Sequence, residues 1–345
     1  MNTQPYRSLE RNHWFKLILG ASFQHLPAVE SLALIWSLAG VDCVDTCADP
    51  AVVQAVERGF SQAQQLAMDW GREWHRPWVM VSLNDGEDPH FRKAYFPSAL
   101  CPPTCPRPCI PVCPVQAIDR AGVSAARCYG CGRCQPVCPL GLIEFATTQA
   151  DPVQLSELLA PCGVDALEIH THVGNGAGFT RLWTGLGDWL TGLKLISISF
   201  PDEPGLWEHL QAISQLIQQS TLPVRAKTHI IWQTDGIPMS GDQGASRAKA
   251  SIYLAKKVLS WDLPGFVQLA GGTNQHSATL ARAEHLAIAG IAYGSYARKL
   301  SQEFFTDLDA GMTPSQLAQA VQTAGALVAH TKEEQHNGQC SHVGG

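Results

Sequence analysis

The sequence predicts an α/β barrel of eight parallel strands with a cysteine-rich segment inserted after the third strand. Eight short apolar runs alternate with helical patterns along the chain. Their lack of polar alternation is typical of strands buried on both faces, and eight of the twelve cysteines lie between residues 101 and 138. These observations favour a (β/α)8 barrel of the triosephosphate isomerase (TIM) type over an open doubly wound sheet, since no strand precedes GxGxxG. The runs are 14–20, 41–46, 78–84, 165–172, 193–200, 223–232, 265–272 and 290–296.

Composition limits the classes of protein that this chain can represent. A hydrophobic content of 45% supports a sizeable core in a chain of 345 residues. The net charge of −6 and the lack of a long basic run exclude nucleic acid as an expected partner. The first twenty residues contain a short apolar run among charges, which fits neither a signal peptide nor a membrane span. We therefore expect a cytoplasmic protein, in which clustered cysteines are metal ligands or redox groups and not disulfides.

Helix boundaries between the strands carry their own signals. Asp49 and Pro50 predict an N-cap and a first helical turn, and Thr313 with Gln316 predicts a capping box. Three glycines stand just before predicted strands, where left-handed caps commonly end helices: Gly40, Gly163 and Gly290.

The second half of the cysteine-rich segment predicts an iron–sulfur cluster. Cys128, Cys131, Cys134 and Cys138 precede Pro139, which gives the CxxCxxCxxxCP spacing of bacterial ferredoxins. Two-residue spacers let three thiolates converge on one cubane, and the fourth cysteine reaches the other cluster in two-cluster ferredoxins. Zinc also accepts four thiolates, but zinc fingers usually separate two CxxC pairs by about a dozen residues or more. The spacing therefore favours a [4Fe–4S] cluster.

The first half of the segment departs from the ferredoxin rule. Cys101, Cys105, Cys109 and Cys113 precede Pro114 with the spacing CxxxCxxxCxxxCP, and the spacers contain several prolines that remove N–H donors. The residues CPVQAI still match the end of a ferredoxin's first motif, so Cys113 is expected to be a ligand. We predict a second cluster here, either [4Fe–4S] or [3Fe–4S].

If the two motifs fold as ferredoxin halves, the fourth cysteine of each crosses to the other cluster. Cys138 would then join the first three cysteines of the irregular motif, and Cys113 would join those of the regular motif. We therefore predict a barrel domain at residues 1–96 and 149–330, a bacterial ferredoxin-like, two-cluster iron–sulfur insert at 97–148, and a flexible tail at 331–345. This insertion point places the clusters above the carboxyl ends of the barrel strands, where barrel enzymes have their active sites.

Glycine-rich turns after the last two predicted strands suggest a phosphate site at the barrel mouth. Gly271, Gly272 and Gly294 lie in the loops from which barrel phosphate sites are built. Lys227, on the sixth predicted strand, offers a positive charge. These residues are the candidate cofactor-binding positions, with flavin mononucleotide (FMN) as the candidate ligand, although similar glycines occur in barrels without a flavin.

Histidines near the ends of the predicted strands are candidate metal ligands. His170 and His172 are two residues apart on the fourth strand and therefore face the same side. Only His229, on the sixth strand, is a further histidine near a predicted strand end. The sequence therefore does not favour a metal site at the mouth.

The combined motifs resemble the cyanobacterial light-dependent period (LdpA) family of circadian clock proteins. The resemblance rests on CPPTCPRPCIPVCPVQAI, on CYGCGRCQPVCP and on the preceding segment NHWFKLILGASFQHLPAVESLALIWSLAGVDCVDTCADP. It implies an iron–sulfur protein that conveys photosynthetic redox state or light intensity to the clock, with the eight cysteines as cluster ligands. It also implies clock-input proteins and kinases as partners. An electron donor or a quinone is a separate candidate partner for a redox-active cluster.

Two classes of function follow from these observations. The first is a redox sensor in which the barrel is a scaffold that reports cluster state to partners. The second is an iron–sulfur oxidoreductase with FMN at the barrel mouth. The absence of a recognised motif with a nucleophile or an acid–base pair favours the sensor.

Overall fold

The computed structural model describes residues 4–147, 149, 151–220, 228–237, 244–305 and 311–333. Eight parallel strands form a closed barrel in the order β1-β10-β9-β8-β7-β6-β3-β2, and β4 and β5 form a separate antiparallel ribbon. The predicted barrel is therefore confirmed. The strands of the described residues are β1 (Trp14–Ile18), β2 (Cys43–Cys47), β3 (Trp78–Asn84), β4 (Arg92–Tyr95), β5 (Glu144–Thr147), β6 (Ala166–His170), β7 (Leu195–Phe200), β8 (His229–Asp235), β9 (Phe266–Ala270) and β10 (Gly290–Tyr293).

Helices surround the barrel and bury the outward-facing strand residues in one continuous apolar core. A second, smaller core closes the amino-terminal end of the barrel, where Leu9 of the first helix packs with Trp14 and Trp78. The opposite end stays open to the insert. The helices are α1 (Gln4–Glu10), α2 (Leu26–Ala39), α3 (Pro50–Asp69), α4 (Pro152–Leu159), α5 (Gly176–Leu186), α6 (Leu206–Gln219), α7 (Gly244–Leu259), α8 (Ser277–Ala283), α9 (Ser295–Gln302) and α10 (Pro314–Lys332).

Most of the helix boundary signals act as the sequence predicts. The Asp49 side chain accepts a hydrogen bond from the backbone N–H of Ala51 at the start of α3, and Thr313 forms the capping box of α10. Gly40 and Gly163 have left-handed backbone conformations with φ of 91° and 71°. The chain from residue 334 to 345, most of the predicted tail, lies outside the described residues.

Gly290 corrects one of these predictions, because it does not cap a helix. It is the first residue of β10, opposite Trp14 of β1 and Gln268 of β9. A methyl group at Gly290 would collide with the backbone carbonyl of Trp14. The position requires glycine because two strands approach closely there, and not because the backbone turns left-handed.

The cysteine-rich insert leaves the barrel after β3 and returns before α4. Its two ends pair as the antiparallel ribbon of β4 and β5, in which Arg92 lies opposite Thr147 and Tyr95 lies opposite Glu144. Between the ribbon strands the chain consists mainly of turns, with one short bridge between Ile118 and Val123. The insert therefore stands above the carboxyl ends of the barrel strands.

The insert also contacts the barrel far from the ribbon. The guanidinium of Arg298 in α9 lies 4.5 Å from the ring centroid of Tyr129 and donates hydrogen bonds to the carbonyls of Ile18 and Leu19 at 2.9 and 2.8 Å. The backbone N–H of Gln24 donates to the carbonyl of Ala126 at 3.0 Å. These contacts fasten the insert to the loop that follows β1.

Candidate functional site

The eight cysteines of the insert gather in two groups in space. We call Cys113, Cys128, Cys131 and Cys134 the inner group, because these four side chains line one cavity. We call Cys101, Cys105, Cys109 and Cys138 the outer group, because Cys138 interacts electrostatically with Cys101 and Cys109. Each group takes one member from the other motif, which is the crossed arrangement expected of a ferredoxin fold. Iron binding by the eight residues stays a prediction.

The inner group has the surroundings that a cluster needs. Apolar side chains of Val115, Ala117 and Ile118 line the same cavity, as the CPVQAI segment predicts. The backbone N–H of Ala94 lies 3.3 Å from the sulfur of Cys128, and the backbone N–H of Ala117 lies 3.2 Å from that of Cys113. Four thiols around an apolar cavity with N–H donors fit an iron–sulfur cluster, whose potential such donors help to set.

Two of the cysteines, one from each group, differ in the acidity of their thiols. Burial, reinforced by neighbouring thiols, raises the pKa of Cys134 to about 12. Burial also raises the pKa of Cys138, but hydrogen bonds from backbone N–H groups of residues 140 to 143 outweigh it, so that the net shift is downward. A coordinated thiol is deprotonated by the positive charge of its metal. Cys134 therefore depends more strongly than Cys138 on metal to become ionised.

The predicted glycine positions come together at the barrel mouth. Gly271, Gly272 and Gly294 line one cavity of about 80 Å³ together with Arg298. Gly271 has a structural reason to be glycine, because its φ is +63° and a methyl group there would collide with the carboxylate of Asp235. Lys227 lies outside the described residues.

Charged side chains fill the barrel directly below this cavity. The ammonium of Lys16, which is completely buried, pairs with Glu168 and lies 3.7 Å from Asp45. Glu168 also accepts hydrogen bonds from Ser197 at 2.9 Å and from Gln233 at 2.7 Å. Burial by itself raises the pKa of Glu168. The nearby Lys16 ammonium outweighs this effect, so that the net shift of the pKa is downward and the carboxylate stays ionised. An ion pair thus occupies a layer that is mostly apolar in barrels of this type.

Histidines surround Asp88 at the level of the mouth. Asp88 Oδ1 lies 2.8 Å from Nδ1 of His90, and Asp88 Oδ2 lies 3.5 Å from Nδ1 of His170 and 3.2 Å from Nε2 of His172. Burial raises the pKa of Asp88, but the facing histidine His170 outweighs it, and the carboxyl group is strongly acidic. Asp235 Oδ2 lies 3.6 Å from Nε2 of His90.

Sequence reasoning missed several of these residues and misplaced one. His229 is the first residue of β8, so it lies at the closed end of the barrel, where its ring contacts Tyr6 and Phe266. The expectation that it shares the mouth with His170 is therefore wrong. Asp88 and His90 lie in the connection after β3, where no sequence motif marks them as ligands. Lys16 could have been recognised from the sequence as a buried charge, because a lysine interrupts the apolar run WFKLI.

Tyr129 joins the insert to the mouth. It stands between Cys128 and Cys131 in the sequence, and its buried side chain lines both the inner cysteine cavity and the mouth cavity. The two cavities therefore share a wall. Whatever binds at the mouth lies one side chain away from the inner group.

A closed barrel that carries a ferredoxin-like insert with two groups of four cysteines defines an iron–sulfur protein with a barrel host. Comparison with known families agrees, because the LdpA Fe-S cluster-binding domain matches residues 101–149 and the Light dependent period A C-terminal domain matches residues 158–330. Light dependent period A from Synechococcus elongatus is 46% identical over 343 residues, which cover 95% of this chain and 94% of the relative. The chain belongs to the Light dependent period A family.

Other similarities are shorter or weaker. The arsenate respiratory reductase iron-sulfur subunit ArrB of Shewanella sp. is 33% identical over 70 residues, which cover 19% of this chain and 30% of the relative. Tryptophan synthase of Mycobacterium tuberculosis matches with a TM-score of 0.43 and 10% identity over 96% of this chain and 99% of that one. The α subunit from Legionella pneumophila gives 0.42 and 10%, over 96% and 97%. We draw no functional conclusion from the two structural matches.

None of the helices in the described residues is both long enough and apolar enough to cross a lipid bilayer.

Proposed function

We propose that the chain is an iron–sulfur redox sensor that conveys photosynthetic redox state or light intensity to the circadian clock. The observation that carries the proposal is the crossed gathering of eight cysteines into two groups above a barrel mouth. Each group would hold one cluster, with [4Fe–4S] in the inner group and [4Fe–4S] or [3Fe–4S] in the outer group. Membership of the light-dependent period family supports the link to the clock.

The exposed rim of the insert suits exchange of electrons with a partner. Leu100 and Leu140 flank the outer group in sequence, and 62% and 50% of their surfaces are exposed. An electron donor or a quinone would deliver electrons there, and clock-input proteins and kinases would bind according to cluster state. We place the protein in the cytoplasm, because its described cysteines are unpaired and a reducing compartment keeps thiols in that form.

The cluster content is the first test of this proposal. We expect protein purified without oxygen to contain more than four irons per chain, because each group of four thiols would hold its own cluster. Acid-labile sulfide should match the iron for two [4Fe–4S] clusters and exceed it by about one atom per chain if the outer cluster is [3Fe–4S]. Zinc in place of iron, or four irons or fewer after careful reconstitution, would refute the two-cluster form.

The sensing step needs a separate measurement. We expect a clock kinase to bind the oxidised and the reduced protein with affinities that differ at least tenfold, or about 1.4 kcal/mol. The control is a protein with serine at Cys131 and Cys105, which should lose the difference. If the kinase binds the two redox states of the native protein with equal affinity, the redox-sensor proposal is refuted.

A second candidate function is an iron–sulfur oxidoreductase with FMN at the mouth. It is favoured by one observation, the convergence of Gly271, Gly272 and Gly294 on a single cavity beside Tyr129. The volume of about 80 Å³ is far below the ~300–1,000 Å³ of most ligand pockets, so FMN would have to open the mouth.

Ligand titration separates the two candidate functions. A flavoprotein should show flavin absorption after purification, and added FMN should raise its melting temperature, because a ligand of the native state stabilises it. Inorganic phosphate serves as the matched control for the phosphate group alone. A melting temperature that is unchanged at millimolar FMN would refute the proposed flavoenzyme function.

A further inference from the structure

We propose that the barrel mouth binds one divalent transition-metal ion through Asp88, His90 and His170, independently of the iron–sulfur clusters. One ligand atom from each of these residues lies within 4.8 Å of the others, and the described residues contain no second group of this kind. Two imidazoles and one carboxylate suit zinc or iron(II) better than the hard ions calcium and magnesium.

The orientation of the histidines is the first argument for a metal. His90 and His170 both direct Nδ1 at the carboxylate of Asp88. Nε2 of His90 lies 3.6 Å from Asp235, and Nε2 of His170 lies 3.1 Å from Glu168. A carboxylate behind a metal-bound histidine fixes its tautomer and ring orientation, and such outer partners are typical of metal sites.

His172 repeats the same arrangement and would support the site from outside. Its Nε2 lies 3.2 Å from Asp88 Oδ2, and its Nδ1 lies 2.9 Å from Glu203. Three imidazoles thus converge on one buried carboxylate, and each has a second carboxylate behind it.

The balance of charge is the second argument. Four buried carboxylates form ion pairs with the mouth histidines or with Lys16, and Lys16 is the one lysine or arginine among their ion-pair partners in the described residues. Either the histidines take up protons or a cation enters, because uncompensated buried charge is costly. The four carboxylates are Asp45, Asp88, Glu168 and Asp235.

Asp235 supplies an independent observation. It is 94% buried, it lines the mouth cavity, and its Oδ1 has no hydrogen-bond partner among the described residues. A buried carboxylate oxygen without a donor favours a cation or a metal-bound water in the adjoining space. The cavity of about 80 Å³ has room for both. The fourth coordination position would therefore face the cavity that Tyr129 separates from the inner cysteine group.

Zinc titration of cluster-loaded protein tests the proposal. Anaerobic calorimetry should show one zinc bound per chain in addition to the clusters, and the His90→Gln and His170→Gln proteins should lose this binding. The matched control is His229→Gln, which removes one imidazole at the closed end of the barrel and should leave zinc affinity unchanged. Asp235→Asn should weaken binding by about 10–100-fold, the range for outer-shell partners.

X-ray absorption at the zinc edge gives a readout that does not depend on any variant. Mouth zinc should show nitrogen and oxygen neighbours at about 2.0–2.1 Å and no sulfur near 2.3 Å. Sulfur neighbours would place the zinc on the cysteines and overturn the proposal. Absence of zinc binding by the native protein, or binding that survives both mouth substitutions, would overturn it as well.

Discussion

Lys16 of β1 and Glu168 of β6 form an ion pair that is sealed inside the barrel, with the Lys16 side chain completely buried and the Glu168 side chain 1% exposed. The pair spans the interior below the histidines of the mouth. His170, two residues after Glu168, lies 3.1 Å from the same carboxylate. The buried ion pair and the mouth histidine His170 therefore share one carboxylate.

Substitution of one partner should destabilise the fold strongly. Lys16→Met leaves Glu168 buried without its cation, and we expect a loss of about 3–5 kcal/mol in the free energy of unfolding. Lys16→Met with Glu168→Gln should recover most of this loss. Urea denaturation of the native protein, of Lys16→Met, of Glu168→Gln and of the double variant measures the coupling between the two residues. The control is Lys256→Met at the exposed Lys256–Glu284 pair. It should change the free energy of unfolding by less than about 1 kcal/mol. An equal loss at both sites would contradict the prediction.

Serine substitutions should show the crossed grouping of the cysteines. Cys113→Ser should disturb the same cluster as Cys131→Ser, and Cys138→Ser the same cluster as Cys105→Ser, because serine oxygen is a poorer ligand for iron than thiolate. Electron paramagnetic resonance of the oxidised and reduced proteins identifies the affected cluster. A match between Cys113→Ser and Cys105→Ser would show that each motif holds its own cluster.

Arg298 should hold the insert against the barrel. Arg298→Met removes the contact with Tyr129 and leaves the carbonyls of Ile18 and Leu19 without their donor, at a cost of about 2–3 kcal/mol. Hydrogen exchange should rise in residues 124–134 more than in the ribbon. Arg72→Met, which removes a cation from the exposed ring of Trp70, is the matched control. Unchanged exchange in 124–134 would show that the ribbon alone positions the insert.

Gly290→Ala tests the close approach of β1 and β10. A methyl group at this position collides with the Trp14 carbonyl, so we expect destabilisation by about 1–3 kcal/mol, as for other overpacked sites. Gly325→Ala is the opposite control, since nothing lies within 4 Å of the added methyl in the middle of α10. That change should stabilise the protein by about 0.5–1 kcal/mol. Thermal denaturation measures both, and two shifts of equal sign would contradict the argument.

Asp85 should make stability depend on pH in a defined direction. Burial raises the pKa of Asp85 from 3.8 to about 6, although hydrogen bonds from Thr171 and Asn175 oppose the shift. The folded state therefore binds a proton more tightly than the unfolded state. The stability that protonated Asp85 contributes is fully present below about pH 4. As the pH rises through about 6 this contribution is lost, and the free energy of unfolding falls by at most about 3 kcal/mol.

The matched variant for this effect is Asp85→Asn, which cannot titrate. Urea denaturation at several pH values between 4 and 7 should show that the native protein loses stability relative to the variant as the pH rises. Parallel stability curves for the two proteins would mean that Asp85 keeps an ordinary pKa.

The barrel could be predicted from the sequence because short, continuous segments mark each of its strands. Each of the eight apolar runs became a barrel strand, and Asp49 and Thr313 cap the helices that follow them. The cysteine spacing likewise lies within one continuous segment. The assembly of Asp88 and His90 with His170 was not predictable in this way, because about eighty residues and the whole insert separate them in the chain.

The conformation of single residues was also hard to predict. Gly40 precedes β2 and Gly290 begins β10. Gly290 permits two strands to approach closely, whereas Gly40 turns the chain left-handed. The difference depends on a carbonyl from β1, which a local motif does not contain. The strand predicted from residue 223 begins only at His229 in the described residues, and this shift places that histidine at the closed end.

The two groups of cysteines lie at different depths, and this gives the insert a polarity. The outer group adjoins the exposed side chains of Leu100 and Leu140, whereas the inner group shares Tyr129 with the barrel mouth. If the chain acts as the proposed redox sensor, an electron from a partner at the rim would meet the outer group first and would have the inner group as its terminus. The barrel would then receive its signal from the inner cluster alone, and the outer cluster would accept the electron from the partner.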